Sequence, residues 1–273
     1  MTRALALVFV AVAGIADAGG ATCPPDSVRV GTVCVDKYEA SVWQVSASSK
    51  ALIRKLQAGK ATAHDLTAGG ATLIGCELVA DARSNYPANF PISGQWTPAP
   101  GFDPPSPGVY AASVAGVRPT TCTTWFRASQ ACRLSGKRLI RNDEWQDAAA
   151  GTPDPGAADD HSTTCNTTRP SSAADLVATG SRAACKSNWG AFDMIGNALE
   201  WVADWVPLAN GCNSSWFDGN DLACVGAPGT STIPGALVRG GGFLDGERAG
   251  VFNVRGDFEP SFYDAGTGFR CAR

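Results

Sequence analysis

Ten cysteines constrain the fold of this chain more than any other feature of the sequence. No C-x-x-C pair occurs and the only histidines are His64 and His161, so the spacing is not that of a zinc or non-haem iron site. An even number of cysteines in an exported chain is typical of a disulfide framework. The sequence alone leaves the connectivity open. Our working hypothesis pairs Cys23–Cys34, Cys76–Cys122, Cys132–Cys271, Cys165–Cys185 and Cys212–Cys224.

The N-terminal segment has the pattern of a secretory signal peptide. Arg3 precedes an unbroken run of apolar and small residues from Ala4 to Ala16, and Ala18 supplies a second small residue at the cleavage site. The run is shorter than the roughly 20 apolar residues that cross a bilayer, and no later segment is apolar enough. We therefore expect a signal peptide over residues 1–18 and a mature, secreted or periplasmic domain over 19–273, without a membrane span.

Composition narrows the class of fold and of partner. The chain carries 31 glycines and 17 prolines, which favours a turn-rich architecture over a helical bundle. Its formal net charge is −3 and it has no cluster of basic residues, so nucleic acid is not an expected partner. Prolines crowd the stretch 80–119, which we interpret as a functional loop or an insertion within the domain.

The local patterns predict an α+β fold with few helices and many short strands. Three helices are expected, over 48–58, over 123–135 with Thr123 or Thr124 as its cap, and over 142–150 with Asn142 as its cap. The last two end where a glycine follows, at Gly136 and Gly151. Strands are expected within 28–45, 198–205, 237–243, 250–255 and 268–272.

Four sequence blocks, in order and correctly spaced, resemble the formylglycine-generating enzyme (sulfatase-modifying factor) family. The first runs from Cys132 to Leu139 and continues at Asn142–Trp145. The second is Trp189–Trp201, the third is Val238–Gly241 with its RGG sequence, and the fourth is the GFRC sequence at Gly268–Cys271. The resemblance implies a C-type-lectin-like fold with few helices, short antiparallel strands and long loops held by disulfides.

The same resemblance implies a calcium site in the second block. Carried over by position, the ligands are the carboxylates of Asp193 and Glu200 and the carbonyl oxygens of Gly196 and Ala198. Calcium accepts such mixed oxygen ligands in flexible geometry. An alternative stays open, in which Glu200 and Asp204 are ordinary polar residues beside a tryptophan cluster.

At the family's catalytic positions the chain departs from the pattern. The family binds copper through two cysteines that follow the RGG strand, and these positions fall near Asp245 and near Ala249 or Gly250. No cysteine is present there, and Gly242 and Leu199 replace a serine and a tryptophan of the family pattern. A carboxylate is a hard ligand that does not replace a thiolate pair for Cu(I). Copper is therefore not expected, and the sequence provides no catalytic residue.

Two classes of function remain after this reading. In the first, the chain is a binding module for a protein, peptide or glycan, recognised by the C-terminal strands and loops. In the second, it is a formylglycine-generating oxidase or a related enzyme that uses the same cleft. Aromatic residues mixed with polar ones suit recognition, although Phe252 and Phe258 could instead belong to the core. The residues expected on the binding face are Phe243, Asp245, Phe252, Asn253, Arg255, Asp257, Phe258, Tyr263 and Asp264.

Overall fold

The computed structural model describes residues 22–75, 108–168, 175–210, 220–226 and 232–273. The predicted signal peptide lies outside these ranges, as does the predicted loop up to residue 107. The described helices are α1 (Lys50–Gln57), α2 (Ala63–Ala68), α3 (Trp125–Leu134) and α4 (Asn142–Ala149). The strands are β1 (Ser27–Val30), β2 (Val33–Asp36), β3 (Ser41–Val45), β4 (Thr72–Leu73), β5 (Gly108–Ala112), β6 (Arg138–Leu139), β7 (Leu199–Pro207), β8 (Ala223–Cys224), β9 (Pro234–Arg239), β10 (Val254–Phe258), β11 (Thr267–Phe269) and β12 (Cys271–Ala272).

A four-stranded sheet joins the two ends of the domain in the order β1-β2-β12-β6. β1 and β2 form the predicted hairpin, and Gly31 takes the left-handed conformation of its turn, with φ 56°. β12 pairs antiparallel with β2 on one side and with β6 on the other. The last strand of the chain therefore completes the sheet that the first two strands begin.

The five-stranded sheet carries most of the candidate site and has the order β11-β7-β9-β10-β8. Two of its four pairs are parallel, β11 with β7 and β10 with β8. The strands predicted over 237–243 and 250–255 have the wrong boundaries. β9 ends at Arg239 because Gly240 and Gly241 follow with φ 85° and 72°, and β10 starts only at Val254.

The third sheet, β4-β3-β5, packs against α1 and α2. β5 lies inside the stretch 80–119 that was predicted as a loop, so that prediction is wrong for Gly108–Ala112. The reason is local, because no proline occurs between Pro107 and Pro119 and the strand residues are all buried. The short helix α2 was not predicted.

The helix predictions over α1, α3 and α4 are confirmed, with one correction to a cap. The hydroxyl of Thr124 accepts a hydrogen bond of 3.2 Å from the backbone N–H of Arg127, as expected for the cap of α3. The cap of α4 is Arg141 and not Asn142. The Arg141 N–H donates to the carboxylate of Glu144 at 3.0 Å, which places Asn142 inside the first turn.

Three of the predicted disulfides are confirmed, namely Cys23–Cys34, Cys132–Cys271 and Cys165–Cys185. Cys122 and Cys224 are also disulfide-bonded, and the partners predicted for them, Cys76 and Cys212, lie outside the described residues. No cysteine of the described ranges is free. Within the same ranges no helix is long and apolar enough to cross a membrane.

The long-range disulfide should stabilise the fold more than the short one. Cys132 and Cys271 are 139 residues apart and Cys23 and Cys34 are 11 apart, so chain entropy predicts contributions of about 5 and about 3 kcal/mol. Urea unfolding of C132A/C271A and of C23A/C34A measures both losses. An equal or smaller loss for C132A/C271A would contradict this ranking.

A buried lysine ties the first sheet to the segment before it. The Lys137 ammonium lies 2.6 Å from a carboxylate oxygen of Asp26 and 2.6 Å from one of Asp36, and its side chain has no exposed area. Burial raises the pKa of Asp36 to about 6 although Lys137 opposes this. Burial also acts on Asp26, but Lys137 and Arg273 outweigh it and lower the pKa of that carboxyl.

The raised pKa of Asp36 makes stability depend on pH. The folded chain binds a proton at Asp36 up to about pH 6, whereas the unfolded chain releases it near pH 4. The unfolding free energy should therefore fall as the pH rises from about 4 to about 7, by roughly 2–3 kcal/mol from this residue. Asp36→Asn should lose this part of the slope, measured by urea unfolding across the pH range. Parallel curves for the two proteins would contradict the assignment.

Candidate functional site

The segment from Asp193 to Glu200 forms a tight buried turn that leads into β7. Asp193 and Asn197 both take left-handed backbone conformations, with φ 57° and 55°. Gly196 also has a positive φ, and a Cβ there would overlap the backbone carbonyl of Asn166. The turn is therefore possible only with glycine at this position, which explains the Gly-Asn pair that the sequence motif contains.

Glu200 pairs with Arg270 in the interior. The Arg270 guanidinium donates to the two Glu200 carboxylate oxygens at 2.6 and 2.8 Å, and the Trp145 indole N–H donates to the same carboxylate at 2.7 Å. Arg270 also donates to the backbone carbonyls of Asp36 and Phe192. Glu200 and Arg270 are 1% and 0% exposed, so this is a fully buried ion pair.

Two further carboxylates lie beside this ion pair. Glu39 accepts hydrogen bonds from the Asn197 side chain at 2.5 Å and from the Ala198 N–H at 2.9 Å. Asp193 accepts one from the Gly180 N–H at 2.7 Å. Burial, reinforced by the neighbouring carboxylates, raises the pKa of Asp193 to about 7 and that of Glu39 well above its usual value. Arg270 therefore faces three buried carboxylates, and Arg182 supplies a second positive charge near Asp193.

Of the predicted calcium ligands Asp193, Gly196, Ala198 and Glu200, the two carboxylates both lie near Arg270, but they are not equally available. Asp193 keeps an oxygen that the Gly180 N–H does not use. Glu200 would have to share its carboxylate with Arg270. The described residues contain no cluster of three or more His, Cys, Asp or Glu side chains suited to a metal ion. The predicted set has only two such side chains, those of Asp193 and Glu200.

Asn197 connects the carboxylate cluster to the loop that follows β9. Its side-chain carbonyl accepts hydrogen bonds from the Val177 N–H and from the Asn166 amide, at 2.9 and 3.1 Å. Its backbone carbonyl accepts from the Phe243 N–H at 3.0 Å. Neither Glu39 nor Asn197 was assigned a role from the sequence. No local pattern signals Glu39, because the groups that bind its buried carboxylate lie 158 and 159 residues away.

The loop after β9 holds the positions of the family's two cysteines. Asp245 accepts a hydrogen bond of 2.8 Å from the Gly242 N–H and lies 3.7 Å from the Arg248 guanidinium. Ala249 is fully buried against Gly241. A Cβ at Gly250 would overlap the carboxylate of Asp221, whose other contact is the Phe252 N–H at 2.8 Å. Asp221 was missed from the sequence because it lies in the segment before β8, 29 residues ahead of Gly250, and meets it only in the fold.

The residues predicted for a binding face separate into buried and exposed sets. Phe243 is 6% exposed and packs on Leu176 and Ala198, and Asn253 has no exposed area and donates to the Arg248 carbonyl. These two residues therefore lie in the interior and not on the face. Asp245, Tyr263 and Asp264 are partly exposed, and Phe252 is 47% exposed, which argues against a core position for Phe252.

A contiguous surface, which we term the C-terminal face, consists of Arg255, Asp257 and Phe258 on β10 and Phe262 in the loop after it. The Arg255 guanidinium pairs with Asp257 at 2.8 Å and lies 4.4 Å from the centre of the Phe258 ring. Phe258 stacks on Phe262 with ring centres 4.6 Å apart, and its edge contacts the buried Trp201. Phe258 thus contacts the core and is also partly exposed, so the alternative prediction that it belongs to the core is confirmed in part.

Residues 24–273 match the model of the sulfatase-modifying factor enzyme 1-like domain. The chain belongs to this family. Its fold class is the one expected from the sequence: α+β and C-type-lectin-like, with few helices, short strands and disulfide-linked loops. No curated protein sequence matches the chain.

Several solved structures resemble the chain at low sequence identity. The Major Tropism Determinant P3c variant is 16% identical with a TM-score of 0.44, over 91% of this chain and 52% of its own. CarF is 16% identical with a TM-score of 0.42, over 88% and 85%. The Treponema denticola variable protein 1 is 18% identical with a TM-score of 0.38, over 90% and 97%. The chain spans about half the length of the tropism determinant.

Proposed function

We propose that this member of the sulfatase-modifying factor family is an exported binding module that does not generate formylglycine. The observation that supports this most strongly concerns the second cysteine position. Ala249 or Gly250 stands there; Ala249 is fully buried, and a Cβ at Gly250 would overlap the carboxylate of Asp221. No cysteine occurs in the sequence between Cys224 and Cys271, so the first position near Asp245 also has no thiol.

The chemistry of the remaining sulfurs supports the same proposal. Thiolates are the ligands that select Cu(I), and disulfide sulfurs cannot play that role. The described cysteines are all in disulfides. Export to a secreted or periplasmic location is part of the proposal, because the framework of disulfides needs an oxidising compartment.

The ligand is a protein, peptide or glycan, and we propose that it binds at the C-terminal face. Arginine and aromatic side chains contribute most of the affinity in many interfaces, because they combine large contact area with directed polar groups. On this face Asp257 holds the Arg255 guanidinium over the Phe258 ring, so both are ordered before a ligand binds. Phe262 extends the aromatic surface and is 36% exposed.

The proposal predicts no formylglycine formation. A peptide containing Cys-x-Pro-x-Arg, incubated with the protein, copper and oxygen, should keep its cysteine sulfur in mass spectra. A catalytically active family member, run in parallel, is the positive control. Titration of the native protein should find no free thiol. Conversion of the peptide would instead support the alternative, a formylglycine-generating oxidase or a related enzyme in the same cleft.

We further propose that calcium stabilises the turn from Asp193 to Glu200. Bound there, calcium would supply positive charge among three buried carboxylates and would favour the ionised forms of Glu39 and Asp193, which burial disfavours. Asp193 and Glu200 would hold it through carboxylate oxygens, and Gly196 and Ala198 through backbone carbonyls. Asn197 would then transmit the order of this turn to the loop at Phe243, since its backbone carbonyl binds that loop.

Calcium should therefore raise the melting temperature at pH 8, where Asp193 is ionised. A calcium concentration about 100-fold above Kd would add roughly 2.7 kcal/mol, or about 5–10 °C in Tm. Differential scanning fluorimetry in calcium and in EDTA measures the shift. Asp193→Asn should abolish it, while Asp65→Asn on the exposed helix α2 should leave it intact. Equal melting temperatures of the wild type in calcium and EDTA would contradict the site.

A further inference from the structure

Two lysine side chains lie beside a stacked pair of aromatic rings at the surface. The rings of Tyr38 and Phe192 have centres 5.4 Å apart and an angle of 22° between their planes. The Lys37 ammonium lies 5.6 Å from the centre of the Tyr38 ring and 5.9 Å from that of Phe192. The Lys186 ammonium lies 5.6 Å from the same Phe192 ring. Both ammonium groups therefore lie within 6 Å of the centre of the Phe192 ring.

The backbone fixes this arrangement. The Phe192 N–H donates to the Lys37 carbonyl at 2.9 Å, and Phe192 forms an antiparallel bridge with Lys186. Three chain segments thus lie side by side with Phe192 in the middle. The Tyr38 ring rests on Gly180, where a Cβ would overlap the ring. The glycine therefore leaves the space in which Tyr38 stacks on Phe192.

The two ammonium groups carry positive charge that the described part of the chain does not neutralise. Neither Lys37 nor Lys186 takes part in an ion pair with the described residues. The carboxylates closest in sequence are committed elsewhere, because Asp36 binds Lys137 and Asp193 accepts from the Gly180 N–H. Lys186 is exposed, and Lys37 and both rings are partly exposed, so a ligand can reach them.

We propose that Lys37, Tyr38, Phe192 and Lys186 form a second binding site, for an acidic glycan. Carboxylate or sulfate groups of the glycan pair with the ammonium groups, and the sugar ring contacts the exposed parts of the aromatic pair. The aromatic rings attract the ammonium groups, so the lysine side chains lose less freedom on binding. Two cations on a chain of net charge −3 suit a compact anion and not an extended polyanion such as nucleic acid.

Isothermal titration at low salt tests the site with three probes: a glucuronate-containing trisaccharide, a sulfated disaccharide and free sulfate. Lys37→Gln with Lys186→Gln should weaken binding of the acidic saccharide at least tenfold. Lys50→Gln with Lys60→Gln removes the same charge from two other exposed lysines and should change binding less than twofold. Phe192→Leu keeps the apolar packing but removes the ring, and should weaken binding several-fold.

Three results would overturn the proposal. One is that the wild type binds neither saccharide. Another is an equal loss in the two double lysine variants, which would show attraction to net charge alone. The third is that free sulfate, or an acidic peptide of equal charge, binds as tightly as the saccharides, because then no sugar is recognised. None of these outcomes depends on the formylglycine assay, since the site shares no residue with the C-terminal face or with the loop after β9.

Discussion

The buried ion pair between Arg270 and Glu200 is the contact on which the rest of the structure depends. Arg270 lies between β11 and β12, and through its guanidinium it reaches β7, the end of β2 and the turn at Phe192. It therefore joins the two larger sheets at their common point. It also supplies positive charge beside Glu39, Asp193 and Glu200, which lie in a medium of low dielectric constant. Stability and the shape of the candidate site thus rest on the same side chain.

Features set by near neighbours in the chain were predictable. Three such features are the hairpin at Gly31, the cap of α3 at Thr124 and the two short disulfides. In each, the interacting residues are at most 20 positions apart in the sequence. Helix α2 also had a local signal that was overlooked, a capping box between Thr62 and Asp65. Glu39 had none, because its partners Asn197 and Ala198 are 158 and 159 residues away.

The binding face was predicted only in part, for a physical reason. Alternation of inward and outward side chains holds only while the backbone stays extended. β9 stops at Arg239, and the glycines after it turn the chain so that Phe243 points into the core. The same turn brings Gly250 close to Asp221, which lies just before β8. The chemistry of this region is therefore determined by a tertiary contact that no local pattern encodes.

The position of β12 has a consequence for how the chain matures. Where disulfides form as the chain emerges, Cys132 appears 139 residues before Cys271, whereas Cys122 precedes Cys132 by only ten. Until Cys271 has emerged, Cys122 is the cysteine nearest to Cys132 among the preceding residues in sequence. Correct pairing of Cys132 with Cys271 requires that β12 joins the four-stranded sheet before Cys132 is oxidised. Otherwise a thiol–disulfide isomerase must rearrange an incorrect early disulfide.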